Sequence, residues 1–381
     1  MAKVIAKRVS NYELFYDLVF VLAISQLTST LHHITDNPRS IIVFIVNSLM
    51  ALSIWMQQTF YLNKYGERDR LDIYINIGAM FIVGNFAQII GKVQYTNADV
   101  LRYNGLLVAS YVLIILQYYL RSRRIGLTRD IKAGILSLSL SAACFAVLTA
   151  VYLSFPSVQG APYFFILWIF PPFIPWILAK YFDYRLINFP HLVERCQLIT
   201  IITFGEAVLA IIRSYPVTSR PFIGFMVFVG MSFMFISYIS QTYLNINHHQ
   251  VTRANALIFA HIFLITGLNI FTVSEELWAN NHHREWGMVL FVVGFLMYYT
   301  SLMVTSIYND SSLRLHKGHH VLYAVVGLLG MTLIILLNKY RFISVTIFVA
   351  TAYAYNLISL IHRRNVRRKL AKKLATHAHH K

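Results

Sequence analysis

Twelve apolar runs of near-constant length divide this chain, and no other feature limits its fold as strongly. A helix needs about 20 predominantly apolar residues to cross a bilayer. Runs of that size fall near 13–32, 40–62, 72–91, 103–120, 132–154, 163–182, 195–213, 221–243, 254–274, 286–307, 320–338 and 342–361. They predict an all-α polytopic membrane protein of about twelve transmembrane helices. The sixth run carries Pro171, Pro172 and Pro175, which should break or kink it because each removes a backbone donor.

Composition agrees. Apolar residues make up 57% of the chain, aromatic residues 15% and charged residues only 13%, with a mean hydropathy of +0.58. Soluble domains carry about 25% charged residues. Cys144 and Cys196 lie in apolar runs, away from oxidising loops, and are expected to be reduced packing residues. Glu13 and Asp17 interrupt what would be the core of a cleavable signal, so the first helix is expected to stay attached.

The net charge of +18 resides in short loops and at the C-terminus. Lipid headgroups, not nucleic acid, are the expected counter-charge. With both termini inside, inner segments hold 25 of the 33 Lys and Arg residues and outer loops hold 8. That bias follows the positive-inside rule and predicts an N-in, C-in topology. The basic tail, 362–381, should lie against anionic headgroups.

Faint self-similarity recurs at an offset of 182 residues. Tyr61-Leu62-Asn63 falls on Tyr243-Leu244-Asn245, Phe81 on Phe263, and Arg102 and Gly105 on Arg284 and Gly287; at 181, Glu13 falls on Glu194. A tandem duplication of six helices would give two parallel repeats, residues 1–185 and 186–361, followed by the tail 362–381.

Charge inside the apolar runs marks the candidate chemistry. Glu13 and Asp17 are four residues apart and share a helix face with Ile24 and Thr28. One of the two should take up a proton unless a cation lies close. In the seventh run Arg195, Glu206 and Arg213 fall near one face of a straight helix, although Arg195 and Glu206 are about 16 Å apart along its axis. Gly205, beside Glu206, would let a neighbouring backbone approach. His261, mid-run in the ninth, could share a proton with Glu206 if the helices bring them to one depth, or could bond to a carbonyl or hydroxyl.

Acids at such depth are functional candidates by default. A helix-to-helix bridge from either acid to Arg195 would instead be structural. Paired histidines, among them His32-His33 and His282-His283, lack the convergent ligands that a metal needs, so no metal or cofactor is expected. Phosphate loops, nucleophile elbows and HExxH patterns are absent from the sequence.

The opening ELFYDLVFVLAISQL and the run HLVERCQLITIITFGEAVLAI resemble the bacterial low-temperature-requirement A family, LtrA. Glu13, Phe15, Asp17, Phe20, Glu194, Arg195, Gly205 and Glu206 match the family's motif positions, whereas Cys196 stands where an aromatic is usual. The resemblance implies a bacterial inner-membrane protein associated with growth in the cold, and it carries no molecular activity over.

The leading expectation is a secondary transporter or an ion or proton permease. Asp17, Glu206 and His261 would be its binding groups, and Glu13, Glu194, Arg195 and Arg213 a structural or gating network. Alternatives are a non-transporting scaffold or sensor, and an intramembrane lipid enzyme using His261 and Glu206 as acid and base.

Overall fold

The computed structural model describes residues 7–66, 70–92, 94–159, 164, 166–280 and 283–379, with side chains to Lys372. His282 therefore lies outside the described residues. Eleven helices are long and apolar enough to cross a membrane among them. They are α1 (Asn11–His32), α2 (Ser40–Tyr65), α3 (Arg70–Ile90), α4 (Asn97–Ile125), α5 (Arg129–Ser154), α6 (Phe189–Ser214), α7 (Pro221–Ile239), α8 (Asn255–Ala279), α9 (Arg284–Val304), α10 (Lys317–Leu336) and α11 (Arg341–His379). The described residues form no named strand, and only an isolated bridge joins Ile246 to Asn309.

The expected sixth helix is not continuous. In its place stand short turns at Leu167–Ile169, Pro171–Phe173, Ile174–Ile177, Ala179–Tyr181 and Tyr184–Leu186. Pro171, Pro172 and Pro175 each lack the N–H that a helix interior requires. The segment still returns across the molecule. Lys64 at the end of α2 pairs with Asp130 at the start of α5, and Asn63 bonds to Asn188 at the start of α6. The first turns of α5 and α6 thus share one face, so the chain between Ser154 and Asn188 must cross back. Among the described residues, eleven continuous helices are long and apolar enough to cross a membrane, and the proline-bearing segment is not one of them.

Local signals fix the helix ends. Thr96 and Thr128 accept backbone N–H bonds from Asp99 and Ile131 at the starts of α4 and α5, and Asn188 does so for His191 at the start of α6. Gly126, at φ 84°, ends α4 in the left-handed region.

The core lies around α2 and α8, the two most enclosed helices. Helices α8 and α9 touch backbone to backbone. A Cβ on Gly294 would stand 2.6 Å from the amide nitrogen of Phe271 and 2.8 Å from the carbonyl oxygen of Gly267. Cys196 is buried and both cysteines are free. Tyr61 is enclosed, whereas Tyr243, at the 182-residue offset, is 65% exposed.

Candidate functional site

The first turn of α1 begins the site. Glu13 Oε2 accepts from the backbone N–H and the hydroxyl of Ser10, each at 2.7 Å, a carboxylate at a helix N-terminus where the peptide dipoles favour it. One turn deeper, Asp17 Oδ1 accepts from Arg195 Nη2 at 2.6 Å and from Trp55 Nε1 at 2.8 Å. One carboxylate oxygen therefore joins α1, α2 and α6. Glu13, Asp17, Arg195 and His191 are all at most 1% exposed.

His191 closes the cluster, its Nε2 lying 3.3 Å from Glu13 Oε1. Asn63 sets the tautomer. Its Oδ1 accepts from the Asn188 N–H at 3.0 Å, so its Nδ2 is the group that faces the Asn188 carbonyl and His191 Nδ1, both at 2.9 Å. His191 Nδ1 must then accept, and the ring proton resides on Nε2, aimed at Glu13. With a neutral imidazole, two carboxylates face one guanidinium, and the cluster is one positive charge short of neutrality.

Five atoms here are buried without a hydrogen-bond partner: Glu13 Oε1, Asp17 Oδ2, His191 Nε2, and Arg195 Nε and Nη1. Their contacts are charge contacts, such as Arg195 Nη1 to Glu13 Oε1 at 3.6 Å. Unsatisfied polar atoms of this number rarely persist in a core without a role.

Other sequence candidates lie elsewhere. Glu194 and Arg213 are exposed on α6, outside the expected polar network, and Glu206 is half-buried with no hydrogen bond or ion pair among the described residues. The buried seam of α6 follows Val193, Cys196, Thr200, Thr203, Ala207 and Ala210, in steps of three and four. Such a 3.5-residue seam drifts from a straight helix by roughly 50° between Arg195 and Arg213. The straight-helix expectation therefore carried Glu206 and Arg213 too far inward. Gly205 is also exposed, and open space rather than a neighbouring backbone lies beside it.

His261 and Glu206 do not meet. Phe189 packs on Tyr308, whose hydroxyl accepts from Leu257 N–H, so α6 and α8 begin on the same face. At 1.5 Å per residue, His261 is about 9 Å into α8 and Glu206 about 26 Å into α6. His261 Nδ1 donates to the Leu257 carbonyl at 2.7 Å, and its Nε2 faces the Tyr238 hydroxyl at 3.1 Å.

Residues 8–355 match the family model of the bacterial low temperature requirement A protein (LtrA). The chain belongs to that family. No curated protein matches it. In this LtrA protein the motif residues divide by position. Glu13, Asp17, Phe20 and Arg195 are inside, whereas Phe15 is 57% exposed.

Sequence reasoning missed three members of this LtrA cluster: Trp55, Asn63 and His191. Asn63 was visible only as a repeat match, and His191 as the first residue of the α6 run. A second buried pair was also missed. Asp130 accepts from Lys64 Nζ at 2.6 Å and from the Tyr65 hydroxyl at 2.8 Å. Lys64 sits at a helix end, where a lysine ordinarily reads as an interfacial residue.

Proposed function

We propose that this multi-pass membrane protein is a proton- or monovalent-cation-coupled secondary transporter or permease of the bacterial cytoplasmic membrane. Glu13, Asp17, Arg195 and His191 form its ion-binding cluster. The observation that carries this reading is the charge count: two buried carboxylates, one guanidinium and a neutral imidazole leave room for one more positive charge. A proton on a carboxylate supplies it, and so does a small cation. Intramembrane carboxylates in such surroundings commonly serve proton relays. Glu206, half-buried further along α6, extends the path towards the opposite face.

The test is dissipation of a proton or sodium gradient across liposomes reconstituted with the full chain. Flux in the wild type that falls at least about tenfold in Glu13→Gln and in Asp17→Asn, with both variants still monodisperse, supports the reading. Wild-type flux in both variants overturns it, and so does a wild-type protein that dissipates neither gradient. Glu206→Gln is a separate arm: unchanged flux confines the path to the cluster.

A second reading has its own observation. Arg195 and Trp55 both hold Asp17 at hydrogen-bond distance, as in a structural bridge of a scaffold or sensor. Under that reading the substitutions lower thermal stability while no gradient is dissipated even by the wild type.

A further inference from the structure

The broken segment between α5 and α6 leaves space beside α8 that an unbroken helix would fill. On the face where α5 and α6 begin, a cavity of about 640 Å³ opens among Arg129, Lys180, Arg253 and the rings of Tyr181 and Tyr184. It shares Phe182, Tyr184 and Arg253 with a narrow neck of about 50 Å³. The neck shares Trp176, Asn255 and Phe259 with an apolar groove of about 670 Å³, which runs between α8 and α9 past Phe263 and Leu296. Basic mouth, neck and groove thus lie next to one another, separated only by the side chains they share.

The mouth carries surplus positive charge. Its two acids are already paired, Asp130 with Lys64 and Asp183 with Arg185. Arg129, Lys180 and Arg253 have no carboxylate partner among the described residues; instead, Arg129 and Lys180 lie over Tyr181, and Arg253 over Tyr184. Tyrosine and arginine at this level form an interfacial belt. From Asn255 to Phe263 the path descends eight residues of α8, about 12 Å at helical rise and somewhat under half the hydrocarbon thickness, a depth within reach of one acyl chain.

We infer that this mouth and groove bind one anionic glycerophospholipid from the adjoining leaflet. Its phosphate sits among Arg129, Lys180 and Arg253, and an acyl chain lies along Phe259 and Phe263. Free phosphate would satisfy the mouth but leave the groove without purpose, and a zwitterionic lipid would leave the surplus charge unmatched. The site is distinct from the cluster of Glu13 and Asp17, and does not depend on the transport reading.

Native mass spectrometry of the full chain in detergent, titrated with palmitoyl-oleoyl phosphatidylglycerol, tests this. The expected result is one tightly retained lipid per chain, bound at least about tenfold more tightly than phosphatidylcholine with the same acyl chains. The triple variant Arg129→Gln, Lys180→Gln, Arg253→Gln should lose that preference. Thr300→Trp, which fills the groove from its exposed edge, should weaken both lipids. The tail variant Arg367→Gln, Arg368→Gln, Lys369→Gln removes the same charge elsewhere and should retain the site. Equal binding of the two lipids, equal loss in the mouth and tail variants, or displacement of the lipid by millimolar inorganic phosphate would overturn the inference.

Discussion

Arg195 donates to Asp17 at 2.6 Å, joining residues 178 positions apart in the chain, and Trp55 donates to the same oxygen. Breaking one side of a buried pair leaves an uncompensated charge and typically costs about 3–5 kcal/mol, whereas replacing both sides by apolar groups is often neutral. Asp17→Leu alone and Arg195→Met alone should each lower the melting temperature in detergent. The double variant leaves Glu13 without its guanidinium, so much of the loss should return only when Glu13→Gln is added. Strict additivity of the two effects in a double-mutant cycle would show that the pair is not coupled.

The same cluster makes a spectroscopic prediction. Because Asn63 donates to His191 Nδ1, the imidazole should be the neutral Nε2–H form in the resting protein. Nitrogen NMR of histidine-labelled protein, assigned through His191→Gln, should show one protonated and one bare ring nitrogen. Asn63→Leu should release that tautomer; an unchanged spectrum would mean that Asn63 does not set it.

The architecture was largely legible in the sequence because lipid imposes one length and one polarity on every crossing. The sixth run shows where that rule stops. Its apolar length is correct, yet three prolines convert it into short turns, and hydropathy measures length without hydrogen bonding. Asp17 was legible as an anomaly, since an acid in an apolar run has few explanations. Its partners were less so. Arg195 stood out both on a polar face of its own helix and as the cation of a helix-to-helix bridge, and only the contact between α1 and α6, which does not exist in one dimension, selects Asp17 as its partner. Glu206 and Arg213 were drawn inward by treating α6 as straight, and its seven-residue seam became visible only through the buried stripe. His191 lay beyond the reading because its importance depends on Asn63, a residue of another helix.

Lys64 and Arg185 offer a contrast between buried and exposed pairing on one face. Lys64 and Asp130 are 3% and 2% exposed, whereas the Arg185 side chain is 76% exposed. Lys64→Met should destabilise by about 3–5 kcal/mol through the stranded carboxylate of Asp130. Arg185→Gln should cost far less, since solvent screens the pair. Chemical unfolding in mixed micelles measures both. Equal effects would mean that Asp130 is stabilised by Tyr65 and the Asp183 amide without its lysine.

Two glycines in helices make opposite predictions from the space around them. On α9, a Cβ at Gly294 would press on the backbone of α8, at Phe271 and Gly267, which no side-chain rotation relieves. Gly294→Ala must therefore push α8 and α9 apart at the centre of the molecule, and overpacking of this kind costs about 1–3 kcal/mol. At Gly205 nothing lies within 4 Å of the added carbon. There the substitution only removes backbone freedom from the unfolded chain, so Gly205→Ala should be neutral or stabilise by about 0.5–1 kcal/mol. Melting curves of the two variants side by side decide the matter. Destabilisation by Gly205→Ala comparable to that by Gly294→Ala would reveal a neighbour pressed against α6 at that level, such as a second copy of the chain.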